Sequence, residues 1–134
     1  MKMNHIAVVV PDVEEALGFW RDALGLPFGG VEEVPDEAVQ VGFLSLGDAH
    51  IELMAPTTAD SGVARFLEKR GPGMHHICLE VDDIDAAIEE LAAKGVQLIY
   101  EVPRTRENGT RYTFVHPKST GGVMVELYEN PERG

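Results

Sequence analysis

The stretch "NHIAVVVPDVEEALGFW" (Asn4 to Trp20) sets an unbroken apolar run, Ile6 to Val10, before Pro11-Asp12. Apolar residues then recur at Val13, Ala16, Leu17 and Trp20. The run reads as a strand, and the three-to-four spacing as one face of a helix, with Trp20 in the core. The same rhythm returns in "HHICLEVDDIDAAIEEL" (His75 to Leu91), where Ile84, Ala87, Ile88 and Leu91 form the second stripe. Asp12 and Asp83 stand where a side chain caps a helix N-terminus. Gly25 and Gly95 stand where a left-handed residue ends one. Period-two stretches predict further strands at Phe28–Val34, Val39–Leu46 and Ala49–Met54, the last two joined by a Gly47-Asp48 turn. In the second half they predict strands at Val96–Glu101, Arg111–His116 and Val123–Tyr128. Between the halves, "APTTADSGVARFLEKRGPG" reads as a loop, a helix over about Gly62–Lys69 and a Gly/Pro turn.

The chain therefore repeats itself. With an offset of 71, His5, Ile6, Val10, Asp12 and Ala16 fall on His76, Ile77, Val81, Asp83 and Ala87. With an offset of 74, "HIELM" (His50 to Met54) falls on "MVELY" (Met124 to Tyr128). The predicted fold is α+β, built from two tandem βαβββ modules in one domain, 1–134. Module one covers about 3–55, a connector about 56–72 and module two about 73–130.

Charge narrows the partners. The chain has 11 Lys+Arg against 23 Asp+Glu, a net charge of −12. Such a surface repels nucleic acid and anionic lipid, so neither is expected as a partner. The opening apolar run is too short for a signal-peptide core or a membrane span. The one cysteine, Cys78, rules out an intrachain disulfide and reads as a buried small hydrophobe. A cytoplasmic location is expected.

Candidate chemistry comes from the repeat. His75 and His76 are neighbours on a strand and so face opposite ways. The repeat matches His76, not His75, to His5, each at the start of its strand. It also matches Glu52 to Glu126, acids in the middle of strands, where burial is costly without a partner. Alternation puts His50, Glu52 and Met54 on one face, and Met124, Glu126 and Tyr128 on the corresponding one. His5, Glu52, His76 and Glu126 are thus predicted metal ligands, with His50 at the rim. Two imidazoles and two carboxylates, without thiolate, suit a six-coordinate Co²⁺, Ni²⁺, Mn²⁺, Fe²⁺ or Zn²⁺ site with two open positions. Two open positions can chelate one substrate and favour proton abstraction beside a carbonyl.

With these residues the chain resembles the vicinal oxygen chelate (glyoxalase) superfamily. More closely it is similar to the methylmalonyl-CoA epimerase family, through "NHIAVVVPDVEEALGFW", "VGFLSLGDAHIELMAP", "VARFLEKRGPGMHHICLEVDDIDAAIEEL", "KGVQLI" and "FVHPKSTGGVMVEL". The resemblance implies a cupped mixed sheet around a metal, with His5, Glu52, His76 and Glu126 as ligands. It implies inversion at C2 of methylmalonyl-CoA through a metal-stabilised enediolate, and a homodimer. Glu126 is implied as one acid/base. Some members carry a second Glu where this chain has Val41; Glu52 is the expected replacement, with Gln40 and His50 as weaker candidates. Lys118 and Ser119, in "HPKSTGG", and with them His50 and Gln40, are candidate substrate contacts. Lys69, Arg70, Arg104, Arg106 and Arg111 are candidate partners of CoA phosphates. The competing readings are a lactoylglutathione lyase of the glyoxalase I type, an extradiol-type dioxygenase and a non-catalytic binding protein of this fold.

Overall fold

In a computed structural model, residues 1–131 are described. The chain runs β1 (Lys2–Val9), α1 (Val13–Leu17), β2 (Phe28–Val34), β3 (Val39–Leu46), β4 (Ala49–Pro56) and α2 (Gly62–Arg70). It continues with β5 (Gly73–Glu80), α3 (Ile84–Ala93), β6 (Arg104–Thr105), β7 (Arg111–Val115) and β8 (Met124–Glu129). It divides into two compact units, His5–His75 and His76 onward together with Met1–Asn4.

The first unit orders its strands β2-β3-β4-β1. β1 and β4 are parallel, His5 opposite His50 and Ala7 opposite Glu52. β3 pairs antiparallel with β4 and with β2. One sheet face packs on α1: Val13 and Leu17 meet Val10, Leu44, Ile51, Leu53 and Ala55. The opposite face buries Ala7, Val9, Val39, Val41 and Met54 against Val63, with Phe66 and Leu67 of α2 alongside. α1 approaches closely because position 42 is glycine; a Cβ there would lie 2.8 Å from Val13 Cγ1.

The predicted caps are present. Asp12 Oδ1 accepts from Glu14 N–H at 3.1 Å and Asp83 Oδ1 from Ala86 N–H at 3.1 Å. α1 is shorter than its stripe suggests and widens into a π-helical segment, Gly18–Ala23, in which Leu24 N–H donates to Phe19 C=O. The wider turn lays half-buried Trp20 against the α1 cluster and leaves Phe19 56% exposed. Gly25 and Gly95 take φ of 83° and 84°, the left-handed region expected after a helix.

The second unit repeats the pattern as β6-β7-β8-β5, with β5 and β8 parallel and β7 antiparallel to β8. Val81, Ile84, Ile88, Leu98, Val115 and Leu127 form its core. The strand expected at Val96–Glu101 is absent. Leu98 makes one bridge to Val115, and pairing resumes only at the two-residue β6. Two backbone hydrogen bonds flank that bridge, Ile99 N–H to Phe114 C=O and His116 N–H to Gln97 C=O, and side chains take over beyond them. Ser119 Oγ accepts from Gln97 N–H at 2.9 Å, and the Thr113 hydroxyl accepts from Tyr100 N–H and donates to Tyr100 C=O. Pro103, lacking an N–H, lies two residues beyond Glu101. His5 and His76 do not open their strands either; extended backbone begins three residues earlier, at Lys2 and Gly73. At β1 the extra residues precede the parallel pairing, which starts at His5.

Candidate active site

In the first unit, alternation along β1 and β4 brings His5, His50 and Glu52 to one face. His5 Nδ1 lies 3.1 Å from Glu52 Oε2, and His50 Nε2 is hydrogen-bonded to the same oxygen at 2.8 Å. The two imidazoles stand 5.1 Å apart, and Phe43, opposite Glu52 in β3, lies 5.8 Å from His50. His5 is buried, while the Glu52 side chain is 17% exposed. One nitrogen from each histidine and one Glu52 oxygen lie within 4.8 Å of one another. Imidazole and carboxylate donors without thiolate fit a divalent first-row ion.

In the second unit, His76 Nε2 lies 3.1 Å from Glu126 Oε1. Glu126 is 2% exposed, so its charge needs these partners. Met124 sits opposite His76, where His50 sits opposite His5. The place of a second imidazole is taken instead by Arg106, whose Nη1 lies 3.3 Å from Glu126 Oε2. Phe114, opposite Glu126 in β7, stands edge-on to the His76 ring at 5.6 Å. His75 faces away from His76's buried side and lies 5.0 Å from Phe66.

The other candidates are placed as follows. Gln40 sits beside Ala55 on the α1 face of the sheet, the face opposite Glu52. Val41 is 4% exposed in the apolar cluster with Met54 and Val9. Lys118 is exposed in the short 3₁₀ turn Pro117–Ser119, its N–H donating to His116 Nδ1, and Ser119 Oγ holds the Gln97 N–H. Arg111 is committed to Asp85 and Glu129. Arg104 lies over Tyr100, Arg70 over Phe66, and Lys69 is exposed. Arg106, read from sequence as a phosphate partner, instead reaches a site carboxylate. No spacing announces this, since Arg106 is 20 residues from Glu126 and sits in a turn rather than on a patterned strand.

No helix among the described residues is long and apolar enough to cross a membrane. Residues 4–114 match the Glyoxalase/Bleomycin resistance protein/Dioxygenase superfamily. The chain is 42% identical to the mitochondrial methylmalonyl-CoA epimerase of Mus musculus, over 94% of this chain and 71% of that one. It is 40% identical to an ethylmalonyl-CoA/methylmalonyl-CoA epimerase of Cereibacter sphaeroides, over 94% of this chain and 96% of that one. Among solved structures, a Streptomyces coelicolor methylmalonyl-CoA epimerase variant in complex with 2-nitronate-propionyl-CoA superposes with a TM-score of 0.88, at 32% identity, covering 97% of both chains. A lactoylglutathione lyase of Haemophilus influenzae is more distant, at 27% identity over 97% of this chain and 93% of that one.

Proposed function

Because this chain belongs to the methylmalonyl-CoA epimerase family of the glyoxalase superfamily, we propose that it interconverts the R and S epimers of methylmalonyl-CoA at C2. The observation that carries the reading is the repeated pair: His5 with Glu52 and His76 with Glu126, each at 3.1 Å, in relatives' company that is mostly epimerase.

The residue roles are ours. His5, Glu52, His76 and Glu126 are the ligands of a divalent ion, Co²⁺ by preference and Ni²⁺, Mn²⁺ or Zn²⁺ as substitutes. An ion held by these residues would supply Lewis-acid stabilisation of the negative charge that develops as C2 loses its proton. Inversion needs one group to remove a proton and another to return one from the opposite side of C2. Glu126 is one of these groups. Glu52 is the other, since Val41 leaves no acid at the position where some relatives carry one. His50, hydrogen-bonded to Glu52, fixes that carboxylate's orientation. Lys118 and Ser119 meet the acyl end of the substrate. The protein works as a homodimer in a single-domain subunit, and its lone cysteine, Cys78, fits the reducing cytoplasm.

The test is solvent exchange. Purified protein loaded with Co²⁺ is given one epimer of methylmalonyl-CoA in D₂O, and deuterium at C2 is followed together with stereochemical purity. Exchange with inversion is expected, abolished by chelator and by Glu126→Gln. Absence of exchange with every metal would overturn the reading in favour of the lyase or a binding protein, which glyoxalase assays then separate.

A further inference from the structure

The two oxygens of Glu126 have different partners. Oε1 faces His76 Nε2 at 3.1 Å, and Oε2 faces Arg106 Nη1 at 3.3 Å. A carboxylate this deeply buried takes its orientation from the groups that hold it. Arg106 is itself held. Its guanidinium carbon lies 3.7 Å from the centre of the Tyr112 ring. Its backbone closes a turn: Arg106 N–H donates to Thr110 C=O at 2.8 Å, and Gly109 N–H donates to Arg106 C=O at 2.9 Å. Gly109 has φ of 88°, a conformation that favours glycine. Tyr112 is braced edge-on by Tyr100 and Phe114, at 6.2 and 6.0 Å, and Phe114 in turn stands edge-on to His76. Both partners of the carboxylate thus rest on one aromatic set.

We propose that Arg106 is a positioning residue for the epimerisation: it fixes the rotation of the Glu126 carboxylate and keeps its two oxygens distinct, Oε1 with His76 and Oε2 beside the guanidinium. This rests on the reading of Glu126 as ligand and acid/base. Arginine suits the task better than lysine, because a planar fork can lie on Tyr112 and direct an N–H at one oxygen together.

The experiment compares the parent with Arg106→Gln, Arg106→Lys and Tyr112→Leu. Each is assayed for C2 exchange in D₂O over a range of methylmalonyl-CoA, and each Co²⁺-loaded protein is read by its visible absorption. Arg106→Gln is expected to lower kcat about 10–100-fold, the order of loss that misplacing a reacting group produces. KM should change little, because the lost interaction acts on the chemical step. The Co²⁺ band should shift as Glu126 rotates. Arg106→Lys should recover only part of kcat, and Tyr112→Leu should lower kcat with the charge still present. An unchanged kcat in Arg106→Gln, or a rise in KM alone, would overturn the proposal, as would full recovery by lysine. If the parent itself shows no exchange, the epimerase reading fails. The absorption bands still decide whether Arg106 orients Glu126: a shift in Arg106→Gln supports it, and an unchanged band overturns it.

Discussion

His50 and His5 are register partners on parallel strands, and both reach a single oxygen of Glu52. One carboxylate oxygen therefore serves two imidazoles, one buried and one 31% exposed. Removing the exposed imidazole should loosen Glu52 without removing a proposed ligand. His50→Ala is expected to lower kcat/KM by about 10–100-fold, the usual cost of losing a partner that orients a metal ligand. His50→Gln, which keeps an N–H donor, should recover part of the loss. Steady-state epimerase assays on the two variants decide this, and equal rates in parent and His50→Ala would leave His50 no role in the reaction.

Glu52 and Glu126 differ in a way that one-sided exchange can expose. If each serves one side of C2, blocking one leaves the other able to remove and return a proton without inversion. Glu52→Gln should therefore keep its metal, exchange C2 hydrogen in only one epimer and invert neither. Deuterium incorporation from each pure epimer, with metal content measured on the same sample, provides the test. Full inversion by Glu52→Gln would remove Glu52 from proton transfer.

Gly42 is where α1 and its sheet come closest. An added Cβ would meet Val13 Cγ1 at 2.8 Å, so Gly42→Ala should cost about 1–3 kcal/mol through overpacking. Shortening the opposing side chain with Val13→Ala in the same protein should return part of that. Leu17→Ala, which empties a fully buried site, should cost about 2–5 kcal/mol. Urea unfolding of the single and double variants supplies the numbers, and strict additivity of Gly42→Ala with Val13→Ala would mean that the contact carries no strain.

Arg111 grips Asp85, at the start of α3, through two hydrogen bonds of 2.8 and 2.9 Å. The hydrogen bond from the guanidinium, aided by its charge, holds the Asp85 carboxyl below the usual carboxylate range. The folded state then binds this proton more weakly than the unfolded chain does. The resulting stability is present above the ordinary aspartate range and is lost as pH falls from about 4 through the lowered folded value. Asp85 is largely exposed, so the effect is small. Urea midpoints at about pH 6 and about pH 3 should fall further in the parent than in Asp85→Asn. An equal fall in both would place the acid sensitivity in other groups.

Much of this architecture is legible in the sequence because its signals are local. Asp12 and Asp83 cap helices with their own side chains, and Gly47, at φ 64°, turns β3 into β4 where the sequence places it. The internal repeat presents each signal twice, and the matched His–Glu pairs stand out through it. What escaped depends on groups far apart in the chain. Val96–Glu101 has strand composition, yet its backbone pairs only at Gln97 and Ile99, and Ser119 and Thr113 side chains take the hydrogen bonds of the Gln97 N–H and of Tyr100. Gln40 sits one residue from Val41, and that single step sends it to the opposite face. Arg106 was visible only as a cation, because its partner Glu126 is brought to it by the folding of β7 and β8.

The Thr113 hydroxyl that serves both backbone groups of Tyr100 has a consequence for how this segment breathes. Gln97, Ile99 and Tyr100 each donate a backbone N–H, to Ser119 Oγ, Phe114 C=O and Thr113 Oγ1. In deuterium-uptake experiments these amides would be protected like those of a regular sheet, although the trace there is irregular. Only the Tyr100 protection would hinge on the Thr113 hydroxyl, so Thr113→Val, which preserves shape and removes the donor and acceptor, would speed exchange at Tyr100 while the Gln97 and Ile99 amides, held by Ser119 and Phe114, stay slow.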